Sequence, residues 1–383
     1  MPEAYLDNSA TTRVWPEVVE TMCRIHSEEY GNPSSLHARG LAAERLVRDA
    51  RRELAGVVGC SPGEIFFTSG GTEANNWAIF GLSRARQARG NRIVSTAIEH
   101  PSVLVPLQLL EEQGFEVILL PVDHRGELEM ARLEDALTPG TILVCVMAVN
   151  NEIGSVHDLE AISAMVRSLS PHAAIHVDAV QALAKLPLPP PGLVETMSFS
   201  AHKLHGPKGT GALYVREGTR LLPLLLGGEQ EGKLRAGTEN VAGIAGMAQA
   251  ARLSWERGQD TRRLKLQLAK GLEAIAGFNV NGPAPGGGAP HILNAYFEDV
   301  PRGEVLVHAL ASRGVYVSTG SACHSRRDGP SHVLKAMGMK GPALTGAVRF
   351  SLGAATTAGE IELAVDATTL AVDEVKIRRG GRK

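Results

Sequence analysis

The sequence contains little cysteine, no excess of charge of either sign and no long apolar segment. Only four of its 383 residues are cysteine, and they are scattered without Cys-x-x-Cys or histidine-rich spacing. This distribution disfavours both a structural zinc site and a disulfide framework, so we expect no metal. Reduced thiols in a cytoplasmic protein are the simplest interpretation.

The charge balance and the hydropathy pattern exclude further classes of protein. The formal net charge at pH 7 is −2 and there is no long basic run, so nucleic acid is not expected as the main partner. No apolar run reaches the roughly 18 residues of a membrane span. The N-terminal stretch MPEAYLDNSATT lacks the basic and apolar regions of a secretion signal. We therefore expect no membrane association.

What the sequence does have is a regular alternation of short apolar runs and longer helical patterns between about residues 64 and 216. Seven apolar or β-branched runs, among them TILVCVMAV and ETMSFS, predict strands, and helical patterns lie between several of them. Because these strands are apolar throughout, we expect a mainly parallel sheet covered on both faces. The predicted fold class is α/β.

A second, smaller α/β unit follows. A helical pattern runs from about residue 240 to 277, and the Gly/Pro-rich stretch NGPAPGGGAP leads from it into further strand and helix patterns. We predict a large domain over residues 15–255, and a small domain built from residues 1–14 and 256–383.

Two stretches in the first unit are suited to binding a ligand. In FTSGGTEANN a predicted strand gives way to a helix near Thr72, and free N–H groups at a helix start favour an anion. In HVDAVQ, Asp178 lies just past an apolar strand, at the edge where open α/β sheets bind ligands. A protonated ring nitrogen would suit this carboxylate, and Gln181 would donate to a neighbouring oxygen. The alternatives are an ordinary turn and a helix cap.

Lys203 stands in SFSAHKLHGPKG between two histidines and among small residues. A free lysine has a pKa of about 10.4 and is a poor nucleophile at neutral pH. Burial beside other cations lowers that value and activates the amine. A lone lysine is more often a solvated surface charge. Together with Asp178 and the phosphate-type turn at Thr72, however, Lys203 supplies the parts of a pyridoxal phosphate site.

Several motifs, in family order and spanning essentially the whole chain, resemble those of the cysteine desulfurases. They are YLDNSATT, GNPSSLH, FTSGGTEANN, AIEH, VNNEIG, HVDAVQ, SFSAHKLHGPKG, RAGTENV, STGSACHS and VRFSLG. These desulfurases are class V aminotransferase-like enzymes that take sulfur from L-cysteine. The resemblance implies a fold type I pyridoxal phosphate-dependent transferase. It also implies a homodimer that passes sulfur to an acceptor or scaffold protein, for example in iron–sulfur cluster assembly.

The resemblance implies a role for each residue expected around the cofactor ring. Lys203 would bind pyridoxal 5'-phosphate covalently, and Asp178 would pair with the pyridine nitrogen. Gln181 would contact the ring oxygen, Asn151 would lie beside the ring, and His100 would cover its face and assist proton transfer. The plainer alternatives are a capping histidine at position 100 and a turn-forming asparagine at position 151.

The resemblance also implies a phosphate site and a substrate site. The residues of this chain expected to bind the phosphate are Gly71, Thr72, Ser200 and His202. Thr238 of RAGTEN would join them from the neighbouring subunit. Arg349 would hold the substrate carboxylate, a task suited to its planar fork, with help from Asn32. The alternative for Arg349 is an ordinary edge-strand residue.

Cys323 is the one cysteine in a polar, glycine-containing loop, STGSACHSRRDGPSH. Cys23, Cys60 and Cys145 lie in apolar patterns and are expected to be buried packing thiols. An unperturbed thiol has a pKa of about 8.5, and the nearby basic residues would raise its thiolate fraction. The resemblance implies that Cys323 attacks the sulfur of bound cysteine, which leaves an enzyme persulfide and L-alanine.

Two departures keep alternatives open. His324 follows the nucleophile where many housekeeping desulfurases have threonine, and ACHS and RAGTEN also resemble selenocysteine lyases. A selenocysteine lyase is therefore one alternative, and a catalytically silent relative acting as a binding partner is a second. Glu229 stands where the family usually has a glycine, and nothing in the sequence explains it.

Overall fold

The computed structural model describes residues 3–258, 261–320 and 329–376. The strands in chain order are β1 (Ala4–Tyr5), β2 (Ile65–Thr68), β3 (Arg92–Thr96), β4 (Glu116–Leu120), β5 (Thr141–Met147), β6 (Ala174–Asp178), β7 (Thr196–Ser200), β8 (Gly211–Val215), β9 (Phe278–Asn281), β10 (Ile292–Phe297), β11 (Val315–Tyr316) and β12 (Val348–Ser351). The α-helices are α1 (Pro16–Glu28), α2 (Ala38–Val58), α3 (Gly71–Arg86), α4 (Pro101–Glu112), α5 (Met130–Ala136), α6 (Leu159–Leu169), α7 (Val241–Arg257), α8 (Thr261–Leu272), α9 (Gly303–Ala311), α10 (His332–Ala336), α11 (Pro342–Thr345) and α12 (Ala358–Val375).

The central sheet has seven strands in the order β2-β8-β7-β6-β5-β3-β4. The five strands from β7 to β4 are parallel, and β8 runs antiparallel to both of its neighbours. Every residue of β5, β6 and β7 is buried, as expected where helices cover both faces of a sheet. The predicted α/β fold class with a mainly parallel seven-stranded sheet is confirmed.

The remaining strands, β1 from the N-terminus and β9 to β12 from the C-terminal part, form two small sheets. One has the order β12-β10-β9 and is antiparallel, and the other is the parallel pair of β1 and β11. A separate apolar cluster joins Ala4 and Leu6 to residues between 264 and 372. This clustering supports two units, with the extreme N-terminus in the smaller one. The domain boundaries at residues 14 and 255 stay a prediction.

The helical pattern predicted from 240 to 277 forms two helices, α7 and α8. The first ends at Arg257, before Gly258, a residue with low helix propensity. None of the helices in the described part of the chain is both long enough and apolar enough to cross a bilayer.

One expectation about the cysteines is wrong. Cys145 is buried in β5 and Cys60 is partly buried, but Cys23 is exposed on α1. This helix buries Val18 and Ile25 instead, and Cys23 lies off the stripe that those two residues define.

Candidate active site

A cavity of about 310 Å³ lies at the carboxyl edge of the central sheet. Asp178 at the end of β6 and Met147 at the end of β5 both line it, and the loop after β3 contributes His100. In open α/β folds the carboxyl ends of parallel strands meet at one edge, and this is where ligands bind.

The cavity brings together most of the site residues that the sequence predicts. Those that line it are Gly71, Thr72, His100, Asn151, Asp178, Gln181, Ser200, His202, Lys203 and Arg349. Asn32 does not: it is exposed, and its Oδ1 accepts a hydrogen bond from the backbone N–H of Ser34 (2.9 Å). Thr238 lines a different cavity of about 180 Å³. Cys323 lies outside the described residues.

Asp178 presents a buried carboxylate to the cavity, with 7% of the residue exposed. Its Oδ2 accepts a hydrogen bond from Nδ2 of Asn75 (2.8 Å), and its Oδ1 accepts one from the backbone N–H of Val180 (3.0 Å). Within residues 3–258, 261–320 and 329–376, no cationic side chain forms an ion pair with Asp178. A buried carboxylate is costly without a counter-charge, so this position is suited to a cationic group of a ligand.

A buried chain of hydrogen bonds fixes the orientation of Asn75. His176 Nε2 lies 3.0 Å from Asn75 Oδ1, and His176 Nδ1 lies 2.9 Å from Thr196 Oγ1. Burial lowers the pKa of His176 to about 3, so its ring is neutral and carries one proton. Because an amide oxygen only accepts, that proton is on Nε2, and Thr196 donates to Nδ1. The chain therefore aims the NH₂ group of Asn75 at Asp178.

Lys203 follows β7 in one turn of 3-10 helix, Ala201–Lys203. Its Nζ donates hydrogen bonds to the backbone oxygens of Ser9 (2.6 Å) and Ala10 (2.7 Å). All three residues line the cavity. Lys203 is thus aimed into the site, in contrast to the solvated surface lysine that was the alternative.

The N-terminal segment also holds the turn that carries Lys203. Thr12 donates from its backbone N–H (2.9 Å) and from Oγ1 (3.0 Å) to the backbone oxygen of His202. The backbone N–H of His205 donates to Thr12 Oγ1 (2.6 Å), and the His205 ring stacks on Trp15 with centroids 4.4 Å apart. These contacts hold His205 in a left-handed conformation, with φ at 62°, which few residues other than glycine adopt.

The other end of the cavity suits an anion. Helix α3 begins at Gly71, and its first N–H groups have no partner within the helix. A Cβ atom on Gly71 would lie 2.7 Å from Val180 Cγ2, so a side chain there would strike its neighbour. Ser200 and Thr72 add hydroxyl groups to the same cavity wall.

His202 completes this end of the cavity as a neutral ring. Burial lowers its pKa to about 4, and the positive charges of Lys203, Lys208 and Lys185 add to the effect. A neutral imidazole has one donor and one acceptor nitrogen, so His202 is able to donate one hydrogen bond to an anion.

Arg349 lies on β12 and is buried, with 1% of the residue exposed. Its Nη1 donates to the backbone oxygens of Asn151 (2.9 Å) and Gly320 (3.2 Å), and its Nη2 pairs with Asp7 Oδ1 (2.7 Å). The buried Nε has no acceptor among the described residues. The guanidinium is therefore fixed on two sides and keeps an unused donor for a ligand carboxylate.

His100 both caps helix α4 and lines the cavity. Its Nδ1 accepts a hydrogen bond from the backbone N–H of Ser102 (3.1 Å), so this nitrogen is unprotonated and the neutral ring carries its proton on Nε2. His100 therefore has the capping role that was the plainer alternative, and the capping bond directs its ring toward the cavity.

Sequence reasoning missed several residues of the cavity wall, namely Ser9, Asn75, Glu152 and His332. Ser9 lies within YLDNSATT and Asn75 within FTSGGTEANN, so position inside a quoted motif was an available signal for both. Glu152 lies within VNNEIG and His332 ends STGSACHSRRDGPSH, so the same signal was available for them. His332 Nε2 lies 2.9 Å from the backbone oxygen of Glu99.

Comparison with known proteins identifies the family. The sequence pattern described as Aminotransferase class-V matches residues 4–363. The chain belongs to the class-V aminotransferase family. This finding confirms the resemblance that the motifs indicated.

Relatives of this class-V chain are similar over nearly its whole length. A cysteine desulfurase, IscS, from Methanosarcina thermophila is 40% identical over 377 residues, which cover 97% of this chain and 92% of that protein. IscS from Dictyoglomus turgidum is also 40% identical and covers 98% of this chain and 95% of its own. A solved NifS-like protein superposes with a TM-score of 0.91 at 37% identity, covering 97% of this chain and all of its own.

The residues of this class-V site fit pyridoxal phosphate. The buried Asp178 without a cationic partner suits a protonated ring nitrogen, and the start of α3 with Ser200 suits a phosphate. Lys203 is the amine in the same cavity. The donor set therefore matches each polar end of the cofactor.

A second buried acid, Glu99, lies behind Met147 of the cavity wall. Its Oε1 accepts hydrogen bonds from Thr96 Oγ1 (2.7 Å) and from the backbone N–H of Met147 (2.8 Å), and its Oε2 has no partner among the described residues. Burial raises the pKa of Glu99 to about 8, although the two hydrogen bonds lower it. The negative charge of Asp178 adds to the rise. At neutral pH the protonated form therefore dominates.

We expect this buried acid to make stability depend on pH. Because the folded state binds the proton more tightly, the contribution of Glu99 is complete below its ordinary pKa of 4.5 and is lost as pH rises through about 8. In urea unfolding from pH 5 to 9, Glu99→Gln, which stays neutral, should gain stability relative to the parent as pH rises. Both proteins contain the same histidines, so the titration of these residues cancels in the stability difference. A stability difference that does not change with pH would contradict the assignment.

Proposed function

We propose that the chain is a cysteine desulfurase that uses pyridoxal phosphate to convert L-cysteine into L-alanine and an enzyme-bound persulfide. The observation that carries the proposal is the buried Asp178 carboxylate, which lacks a cationic partner among the described residues and shares one cavity with Lys203. The relatives at about 40% identity, which carry the name cysteine desulfurase, support this activity. A solved structure described as SspA in complex with cysteine is 32% identical, with a TM-score of 0.81 over 92% of this chain.

The cofactor would be held at each of its polar groups. Asp178 would keep the ring nitrogen protonated, and the NH₂ group of Gln181 would donate to the ring oxygen. Asn151 would lie beside the ring. When bound, pyridoxal phosphate supplies a sink for the electrons of the substrate α-carbon.

Phosphate binding would use both the helix start and polar side chains. The groups of this chain are the N–H groups of Gly71 and Thr72 and the side chains of Thr72, Ser200 and His202. The neutral state of His202 limits it to one donated hydrogen bond, so the helix start carries most of the favourable charge.

Lys203 and His100 would move the protons of the reaction. The amine of Lys203 would remove the α-proton of the substrate once it is free of the two backbone oxygens that hold it. His100 would return a proton through Nε2, the nitrogen that its capping bond leaves protonated.

The substrate carboxylate would bind Arg349. Three of its five N–H groups bond Asp7, Asn151 and Gly320, so the Nε hydrogen and the second Nη2 hydrogen are the donors that remain for a ligand. Asn32 stays a proposed helper, since it lies outside the cavity of the single chain.

Cys323 would perform the sulfur step. Its thiolate attacks the sulfur of the bound cysteine, which forms an S–S bond and breaks the Cβ–S bond of the substrate. The electron pair of that broken bond stays with the carbon, which takes up a proton to give alanine. The terminal sulfur then passes to an acceptor or scaffold protein, for example in iron–sulfur cluster assembly in the cytoplasm.

We predict that Cys323→Ala lowers alanine formation from L-cysteine at least about 100-fold, because no thiolate is left to accept the sulfur. Alanine is measured with an external thiol present, and the persulfide is mapped by mass spectrometry. Cys23→Ala, which removes an exposed thiol, is the matched control and should keep the full rate.

Selenocysteine serves as a second substrate in the same assay. Selenols ionise more readily than thiols, so Cys323→Ala is expected to retain selenocysteine turnover, which shows that the variant is folded and loaded. Full alanine formation from cysteine by Cys323→Ala would contradict the persulfide mechanism.

The working unit would be a homodimer in which Thr238 completes the phosphate site of the other subunit. In support, Thr238 lines a cavity separate from the one that contains Lys203 in its own chain. Thr238 would then be absent from the phosphate site of its own chain and present in that of the other subunit.

Subunit mixing tests this arrangement. Lys203→Ala and Thr238→Ala homodimers should both be weak, and mixed dimers should recover up to about half of the parental activity per dimer. One site of each mixed dimer would combine an intact Lys203 with an intact Thr238 from the other subunit. If Thr238 acts within its own chain, mixing restores nothing, and the shared site is ruled out.

A further inference from the structure

Lys185 is a second lysine beside the site, and no role above uses it. It lies in the turns that follow β6, seven residues after Asp178. Its Nζ donates a hydrogen bond to Oε1 of Gln181 (2.9 Å), and Nε2 of Gln181 donates to the backbone oxygen of Ser9 (3.0 Å). The same oxygen accepts a hydrogen bond from Lys203 (2.6 Å). The two lysines are thus linked through one amide and one carbonyl.

These partners allow only one orientation of the Gln181 amide. In its ammonium form Lys185 only donates, so the side of the amide that faces it has to be the oxygen. A backbone oxygen only accepts, so the side facing Ser9 has to be the NH₂ group. One hydrogen of that NH₂ group bonds Ser9, and the other remains available to the cavity that Gln181 lines. Lys185 and the Ser9 oxygen therefore favour the same orientation, and without Lys185 only the bond to Ser9 remains to hold it.

Lys185 also places positive charge behind Lys203. Both residues line a small second cavity of about 20 Å³, together with His205 and His291. Burial lowers the pKa of Lys185 to about 7, and the charges of Lys203 and Arg349 add to the effect. Burial also leaves both histidines uncharged at neutral pH, because it lowers the pKa of His205 to about 4 and that of His291 well below its usual value.

We infer that Lys185 is a positioning residue, which fixes the Gln181 amide with its NH₂ group toward the cofactor and disfavours a second positive charge on Lys203. This inference rests on the proposed function. The two effects act in the same direction. A donor to the ring oxygen and a cation behind the amine both disfavour a proton on the nitrogen of Lys203 when it is bound to the cofactor.

The test is a pH titration of the visible absorbance of the loaded protein, which follows protonation of that nitrogen. We expect Lys185→Met to raise the titration midpoint by about half to one pH unit, because it removes both effects. Lys185→Arg keeps a donor and a charge, and its midpoint should stay close to that of the parent. Lys265→Met is the matched control. It removes another buried lysine, one that donates to the backbone oxygens of Gly287 and Ala289, and it should not move the midpoint.

A measurement without cofactor separates this inference from the proposed function. The rate of reductive methylation at Lys203, mapped by mass spectrometry, follows the fraction of uncharged amine. At pH 6, below the lowered pKa of Lys185, we expect Lys185→Met to lower that rate about three- to tenfold, and Lys185→Arg to leave it unchanged. If the parent protein takes up no cofactor, the proposed function fails, whereas the inference on the Lys185–Lys203 pair is still decided by this rate.

Unchanged midpoint and labelling rate in Lys185→Met would overturn the inference. An equal shift in Lys265→Met would also overturn it, since the effect would then be general destabilisation. Should Lys185→Met not fold, Lys185→Gln keeps a donor for Gln181 and removes only the charge. We expect Lys185→Gln to change the titration midpoint and the labelling rate in the same direction as Lys185→Met, but by less. If neither changes, the inference is overturned.

Discussion

A carboxylate buried at the edge of a parallel sheet is the constraint around which this site is organised. Asp178 is held by Asn75 and by the backbone of Val180, and among the described residues no cation neutralises it. Its cost is offset only if a cationic ligand group completes the pair. The neutral His176 behind Asn75 adds no charge of its own, so the sheet supplies orientation and leaves the charge for the ligand to balance.

The N-terminal segment ties this edge to the smaller unit. Asp7 pairs with Arg349, while the backbone oxygen of Ser9 accepts hydrogen bonds from both Lys203 and Gln181. One short segment therefore sets the distance between the amine proposed to react and the guanidinium proposed to bind substrate. A shift of this segment would change both ends of the site together.

The sequence predicts the fold well because the strands of the central sheet are short, apolar runs separated by helical patterns. It also predicts Asp178, Lys203 and Arg349, since each stands in a motif at a strand end or within a strand. The contacts of Lys185 could not be predicted, because its partner amide is oriented by a carbonyl far away in sequence. Cys23 shows another limit, since an apolar local pattern does not reveal which stripe of a helix is buried.

Charged residues in loops were the hardest to place from the sequence. Glu231 is buried and pairs with Arg51, which lies 180 residues away in the sequence (2.7 Å), although its local sequence, GGEQEGKL, is glycine-rich and polar. Nothing in the local sequence distinguishes Glu231 from the exposed Glu229 two residues before it, because its burial depends on the contact with Arg51. Glu229 is exposed and pairs with Lys233 (2.9 Å), and nothing in the structure explains why it replaces glycine.

The central claim is that the amine of Lys203 carries the cofactor opposite Asp178. Borohydride reduction of the purified protein, followed by peptide mapping with mass spectrometry, tests it most directly. We expect a reduced pyridoxal phosphate adduct on Lys203. An adduct on Lys185 or Lys208 instead, or none after reconstitution with the cofactor, would contradict it.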